Sequence, residues 1–120
     1  NKCIKNIRFI QGDINDQGVI EADVVILSNV LEHINDRIDF LKNIYKISKN
    51  NKFLIRVPLF ERDWQMALRK ELDTYYFSDN DHKIEHTIKE FKNEIIESGF
   101  SIQEIITVWG EIWAYCNYEK

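Results

Sequence analysis

Asn29, Glu32 and His33 stand within five positions of one another, directly after the apolar run Val24-Val25-Ile26-Leu27. A carboxylate beside an imidazole can take up and return a proton near neutral pH, as general acid–base chemistry requires. The same pair could equally cap or brace the helix that follows. Asp13, after Phe9-Ile10-Gln11-Gly12, is a second candidate; its plain role is a turn acid accepting from nearby backbone amides. A third is His82-Lys83-Ile84-Glu85-His86, which fits the H-x-x-E-H pattern of inverted zinc peptidases. That chemistry needs both imidazoles on one face of one helix. Here Thr87-Ile88-Lys89-Glu90 reads as a capping box that starts a helix only after His86, and Asp79-Asn80-Asp81 makes a poor helix upstream. No metal site is expected.

These residues need elements to position them. Ala22 to Ser28 reads as a strand covered on both faces, because its apolar run is unbroken and bounded by polar residues. Asn29, Glu32 and His33 then fall at its carboxyl end, the edge where open α/β sheets bind ligands. Ile7-Arg8-Phe9-Ile10 reads as an earlier strand ended by Gln11-Gly12-Asp13. Asp36 is placed to cap a helix whose apolar face is Ile38, Leu41, Ile44 and Tyr45, and Asn50-Asn51 ends it. Phe53 to Val57 is a core strand stopped by Pro58, the only proline.

The segment 61–72 is compatible with a helix carrying Trp64, Ala67, Leu68 and Leu72 on one side, followed by the aromatic loop Tyr75-Tyr76-Phe77. Behind the capping box, Ile88, Phe91, Ile95 and Ile96 make the apolar face of another helix, with Gly99 as its left-handed cap. Two strands, 102–109 and 112–118, end the chain around a hairpin turn at Gly110-Glu111, with Trp109 and Trp113 as packing residues beside it. The alternation predicts an α/β fold with a mainly parallel sheet, flanking helices and a C-terminal antiparallel hairpin.

A chain of 120 residues fits one domain, with a helical and aromatic insert at about 59–86. Its net charge of −4 argues against a nucleic-acid backbone as the main partner. No apolar run approaches the ~20 residues of a membrane span, and no signal peptide opens the sequence. Cys3 and Cys116 lack metal spacing and are too few for a disulfide scaffold; they read as reduced thiols of a cytoplasmic protein.

In this order the motifs resemble the class I S-adenosylmethionine-dependent methyltransferases of the type 11/12 kind. Phe9-Ile10-Gln11-Gly12-Asp13-Ile14 resembles the end of that family's third strand. Ala22-Asp23-Val24-Val25 through Asn29-Val30-Leu31-Glu32-His33-Ile34 resembles its fourth strand and following loop. Lys52 to Pro58 resembles the fifth strand, and Glu97-Ser98-Gly99-Phe100 the E-x-G-F helix end. The resemblance covers nearly the whole chain, as the carboxyl-terminal two-thirds of the family's domain, and implies a Rossmann-like sheet.

It further implies S-adenosylmethionine as cofactor, a small-molecule methyl acceptor, and no nucleic acid or membrane partner. Asp13 and Ile14 would meet the adenine, Asn29, Val30 and Leu31 would line the cofactor, and His33 would be the catalytic base. The insert would cover the acceptor pocket, with Arg56, Trp64, Tyr76 and His82 facing it. The sequence departs from the family in one respect. Its four glycines, Gly12, Gly18, Gly99 and Gly110, make no G-x-G-x-x-G loop. The strands that would lie beside Val24–Leu27 are also not visible. Impaired cofactor binding is expected, together with an open sheet edge. Residues 7–10 would fill that edge, or a second copy would, giving a homodimer. The alternative function is a non-catalytic interaction module pairing through the edge.

Overall fold

In the computed structural model, residues 6–119 are described. Four strands form one mixed sheet: β1 (Val25–Ser28), β2 (Lys52–Pro58), β3 (Phe100–Val108) and β4 (Glu111–Tyr118). Their order is β1-β2-β4-β3. β1 runs parallel to β2 in the register Val25↔Phe53 to Ser28↔Arg56, while β2–β4 and β3–β4 are antiparallel. Three helices accompany the sheet: α1 (Arg37–Ser48), α2 (Trp64–Glu71) and α3 (Ile88–Glu97).

One sheet face is covered. Leu27 of β1, Phe53, Ile55 and Val57 of β2, and Ile112, Ala114 and Cys116 of β4 pack with Phe40, Leu41 and Ile44 of α1 and Phe91 and Ile95 of α3. The alternation of these strand positions is the two-residue period of a half-buried strand. A bulge between Ile102 and Glu104 lets β3 present both Ile102 and Ile105 opposite the inward residues Cys116 and Ala114. Cys116 is a free thiol whose burial raises its pKa to about 12, so it is inert; Cys3 lies outside the described residues.

The capping box forms as expected: Thr87 Oγ1 accepts from Glu90 N, and the Glu90 carboxylate accepts from Thr87 N at 3.0 Å. Gly99, at φ 89°, ends α3, and a Cβ there would stand 3.0 Å from the Tyr118 ring.

Several expectations are corrected. Residues 7–10 form no strand: Phe9 is 91% exposed, and no described strand pairs with the segment. The parallel pairing expected of it is missing, so β1–β2 is the only parallel pair of strands among the described residues. β1 is shorter than Ala22–Ser28 and is covered on one face only, since Ile26 is 66% exposed. Asp36 precedes α1 without a side-chain cap bond.

On α2 the buried residue is Met66, whereas Trp64, Leu68 and Leu72 face solvent; Ile96 of α3 is also exposed. The hairpin turn is Trp109-Gly110, both at positive φ, one residue earlier than expected. Trp109 is therefore at the tip and exposed rather than packed. Among the described residues no helix is long and apolar enough to cross a membrane.

Candidate active site at the carboxyl end of the first strand

β1 is followed by Asn29, which turns the chain through a left-handed conformation at φ 53° while its amide donates to Arg56 O at 2.9 Å. Asparagine tolerates that region better than branched residues. A 3-10 turn, Leu31–His33, follows. It buries Leu31 and Glu32 and leaves His33 about one-third exposed. The segment before α3 is stitched onto this turn. Lys83 N donates to Glu32 O at 2.6 Å, Phe60 N donates to His86 O at 2.8 Å, and Leu59 bridges His86 in parallel.

These stitches bring residues about fifty positions apart together. The His33 and His82 rings meet edge to face with centroids 4.8 Å apart. His33 Nδ1 lies 3.0 Å from Asp81 Oδ2, and His33 Nε2 lies 3.8 Å from Glu32 Oε1. His82 Nδ1 lies 2.8 Å from Glu85 Oε1, which also accepts from Ser78 N and Oγ at 2.7 Å.

Behind them, Glu94 joins His86 Nε2 (3.2 Å) to Arg37 Nε (2.7 Å). Burial pushes the Glu32 carboxyl above the usual range, against the pull of its own backbone and the neighbouring histidines. Burial acts on Glu85 and Glu94 in the same direction. The bonds from Ser78 and His82 to Glu85, and from His86 and Arg37 to Glu94, outweigh it and hold both below the range.

Beside this cluster lies an open cleft of about 780 Å³, lined among others by Gly12, Asp13, Ile14, Val30, His33 and Asp39. Asp13 accepts from Asn15 N through Oδ1 and so caps the 3-10 turn Ile14–Asp16, as a turn acid would. One carboxylate oxygen is thereby engaged and the second remains available.

The family described as a methyltransferase domain matches residues 1–55. Comparison with curated proteins gave no match. Among solved structures, the small RNA methyltransferase HEN1 aligns with 90% of this chain and 16% of its own, at 17% identity and a TM-score of 0.69. The O-methyltransferase NcsB1 of neocarzinostatin biosynthesis, in complex with S-adenosylmethionine and 2-hydroxy-5-methyl naphthoic acid, aligns with 92% of this chain and 33% of its own, at 17% identity and a TM-score of 0.65. Magnesium protoporphyrin IX methyltransferase from Synechocystis PCC 6803, with bound SAH, aligns with 92% and 51%, at 14% identity and a TM-score of 0.62. This chain carries part of a class I methyltransferase fold. It spans 16%, 33% and 51% of those three proteins' lengths.

Within this methyltransferase fold the candidate residues divide. Asp13, Ile14, Val30 and His33 share the cleft. Asn29 is exposed at the strand tip and does not line it, and Leu31 is wholly buried in the core. His82 stands beside His33. Arg56 does not line this cleft; its guanidinium is tied to Glu111 at 2.9 Å and lies over Trp113 at 5.0 Å. Trp64 projects into solvent from α2. Tyr76 stacks on Phe77 and meets the Phe60 edge under Lys70. Neither Trp64 nor Tyr76 lines the cleft. Sequence reading did not assign Asp81, Glu85, Glu94 or Arg37 to the site. The H-x-x-E-H pattern was the one signal for Glu85, and it pointed to a helix that does not form.

Proposed function

We propose that this chain is the acceptor-side part of an S-adenosylmethionine-dependent methyltransferase domain acting on a small molecule. The observation that carries the reading is the gathering of Asp13, Ile14, Val30 and His33 around one cleft at the carboxyl end of β1. The cleft is roomy enough for a nucleoside, within the ~300–1,000 Å³ of ordinary ligand sites. The free Asp13 oxygen suits an exocyclic amine, and Ile14 and Val30 offer apolar contact to a purine face. When bound, S-adenosylmethionine supplies an electrophilic methyl group. His33 would accept the acceptor's proton, its ring oriented by Asp81 at Nδ1. His82 sits beside it, and the insert at 59–86, with Trp64 and Tyr76, would form the outer surface that selects the acceptor.

No glycine-rich loop is present to hold the methionine end, so affinity should be weak. The test is amide shift mapping of the full chain titrated with S-adenosylhomocysteine. Shifts confined to Asp13, Ile14, Val30 and His33, with a millimolar constant, are expected. Shifts elsewhere, or none, overturn the cofactor site; a micromolar constant overturns the impaired binding. A cytoplasmic location, on the reduced-thiol reading, belongs to the same proposal.

A second reading has its own observation. The outer edge of β1 pairs with no strand among the described residues, and Val24 and Ile26 are exposed beside it. A non-catalytic module, or a homodimer, would pair there.

A further inference from the structure

Glu32, His33 and His82 each offer a ligand atom, and the three atoms lie within 4.8 Å of one another. Their outer nitrogens and oxygens are already engaged in a particular way. His33 Nδ1 is held by Asp81 and His82 Nδ1 by Glu85. That leaves the Nε2 atom of each ring as the available nitrogen, and His33 Nε2 is the one nearest Glu32. An imidazole anchored through one nitrogen by a carboxylate, with the other free, is the usual arrangement around a bound metal. The third donor adds an independent observation. Glu32 is 1% exposed, and its Oε2 has no hydrogen-bond partner. A buried, unpartnered carboxylate oxygen is costly unless a cation meets it.

We propose that Glu32, His33 and His82 form a binding site for a first-row divalent transition cation of the Zn²⁺ or Co²⁺ type. Two imidazoles with one carboxylate favour such ions over Mg²⁺, which prefers all-oxygen sets. Donor atoms on a tetrahedral zinc stand about 3.3 Å apart, so groups within 4.8 Å of one another must draw in by up to about 1.5 Å. Rotation of the half-buried His33 ring allows that. The site is not the H-x-x-E-H arrangement: His86 turns to Glu94, and Glu85 serves as the anchor of His82 rather than as a base. Three protein donors leave at least one coordination position for solvent or ligand. Metal binding and the base role given to His33 above exclude each other, because a coordinated Nε2 no longer accepts a proton; the rest of the methyl-transfer reading does not depend on the site.

The experiment is titration of the untagged full chain with CoCl₂, read by visible absorption, alongside calorimetry with ZnCl₂. A 1:1 complex with cobalt bands, absent with MgCl₂ and reversed by EDTA, is expected. His82→Ala and the near-isosteric Glu32→Gln should each weaken it at least about tenfold, and Asp81→Asn by about tenfold through the anchor. Cys3→Ser and Cys116→Ser should leave it unchanged. Circular dichroism of each variant separates lost ligands from lost fold. Absence of cobalt bands, or a complex that survives both His82→Ala and Glu32→Gln in folded protein, overturns the site.

Discussion

Glu32 is where burial and charge conflict most sharply. Its folded-state pKa lies above the ordinary value, chiefly from burial. A raised pKa means the stabilising proton is fully held below the unfolded value, near ~4.3. That stability is lost as pH rises through the folded value. Glu32→Gln, which never ionises, should therefore melt higher than the parent at pH 7 in metal-free buffer, and the gap should close toward pH 4. Thermal melts across that range check it.

Glu94 has the opposite sign. His86 and Arg37 overcome its burial and lower its pKa, so its contribution is present above the unfolded value and is lost as pH falls through the folded one. Glu94→Ala leaves the wholly buried His86 without a side-chain partner and Arg37 with only its backbone acceptors Ile34 O and Asn35 O, and should cost about 2–3 kcal/mol at neutral pH, with the cost shrinking in acid. Urea unfolding at pH 7 and pH 4 measures both. Nothing local in the sequence joins these residues: Arg37 and Glu94 are 57 positions apart. The sequence placed Glu32 and His33 after β1, where they stand beside the cleft, but not the Arg56–Glu111 bond, because Glu111 comes from a different strand.

At the scale of elements, the capping box and Gly99 were readable because they act over one helical turn. The turn at Trp109-Gly110 was misread by one residue. The cross-strand register, Val108↔Glu111, sets its position, and register is a property of two strands together. That turn carries a tryptophan at φ 52°, a conformation favouring asparagine, with its ring in solvent. Trp109→Asn should stabilise the hairpin by about 0.5–1 kcal/mol, seen as a higher urea midpoint at unchanged slope. The solvent-facing stripe on α2 has the periodicity of a core face, yet only Met66 finds a neighbour to bury it.

Across the whole molecule, the sheet has two edge strands among the described residues, β1 and β3. β3 is held by its hairpin to β4, and β1 carries the exposed Ile26 beside its unpaired edge. Such an edge favours pairing with another strand. Light scattering over a concentration series should show self-association of the full chain, and Ile26→Lys should suppress it. A parent chain that stays monomeric at every concentration removes the homodimer.

The sequence by itself determined the presence of the three helices, the capping box and glycine end of α3, and the apolar periods of the strands. Those features depend on neighbours a few positions away. Only the tertiary structure decided that residues 7–10 form no strand, that β1 keeps one face bare, and that His82 reaches His33. Each of these depends on whether a distant segment supplies a ladder partner, a packing surface or a hydrogen bond, and the order of residues along the chain does not contain that information.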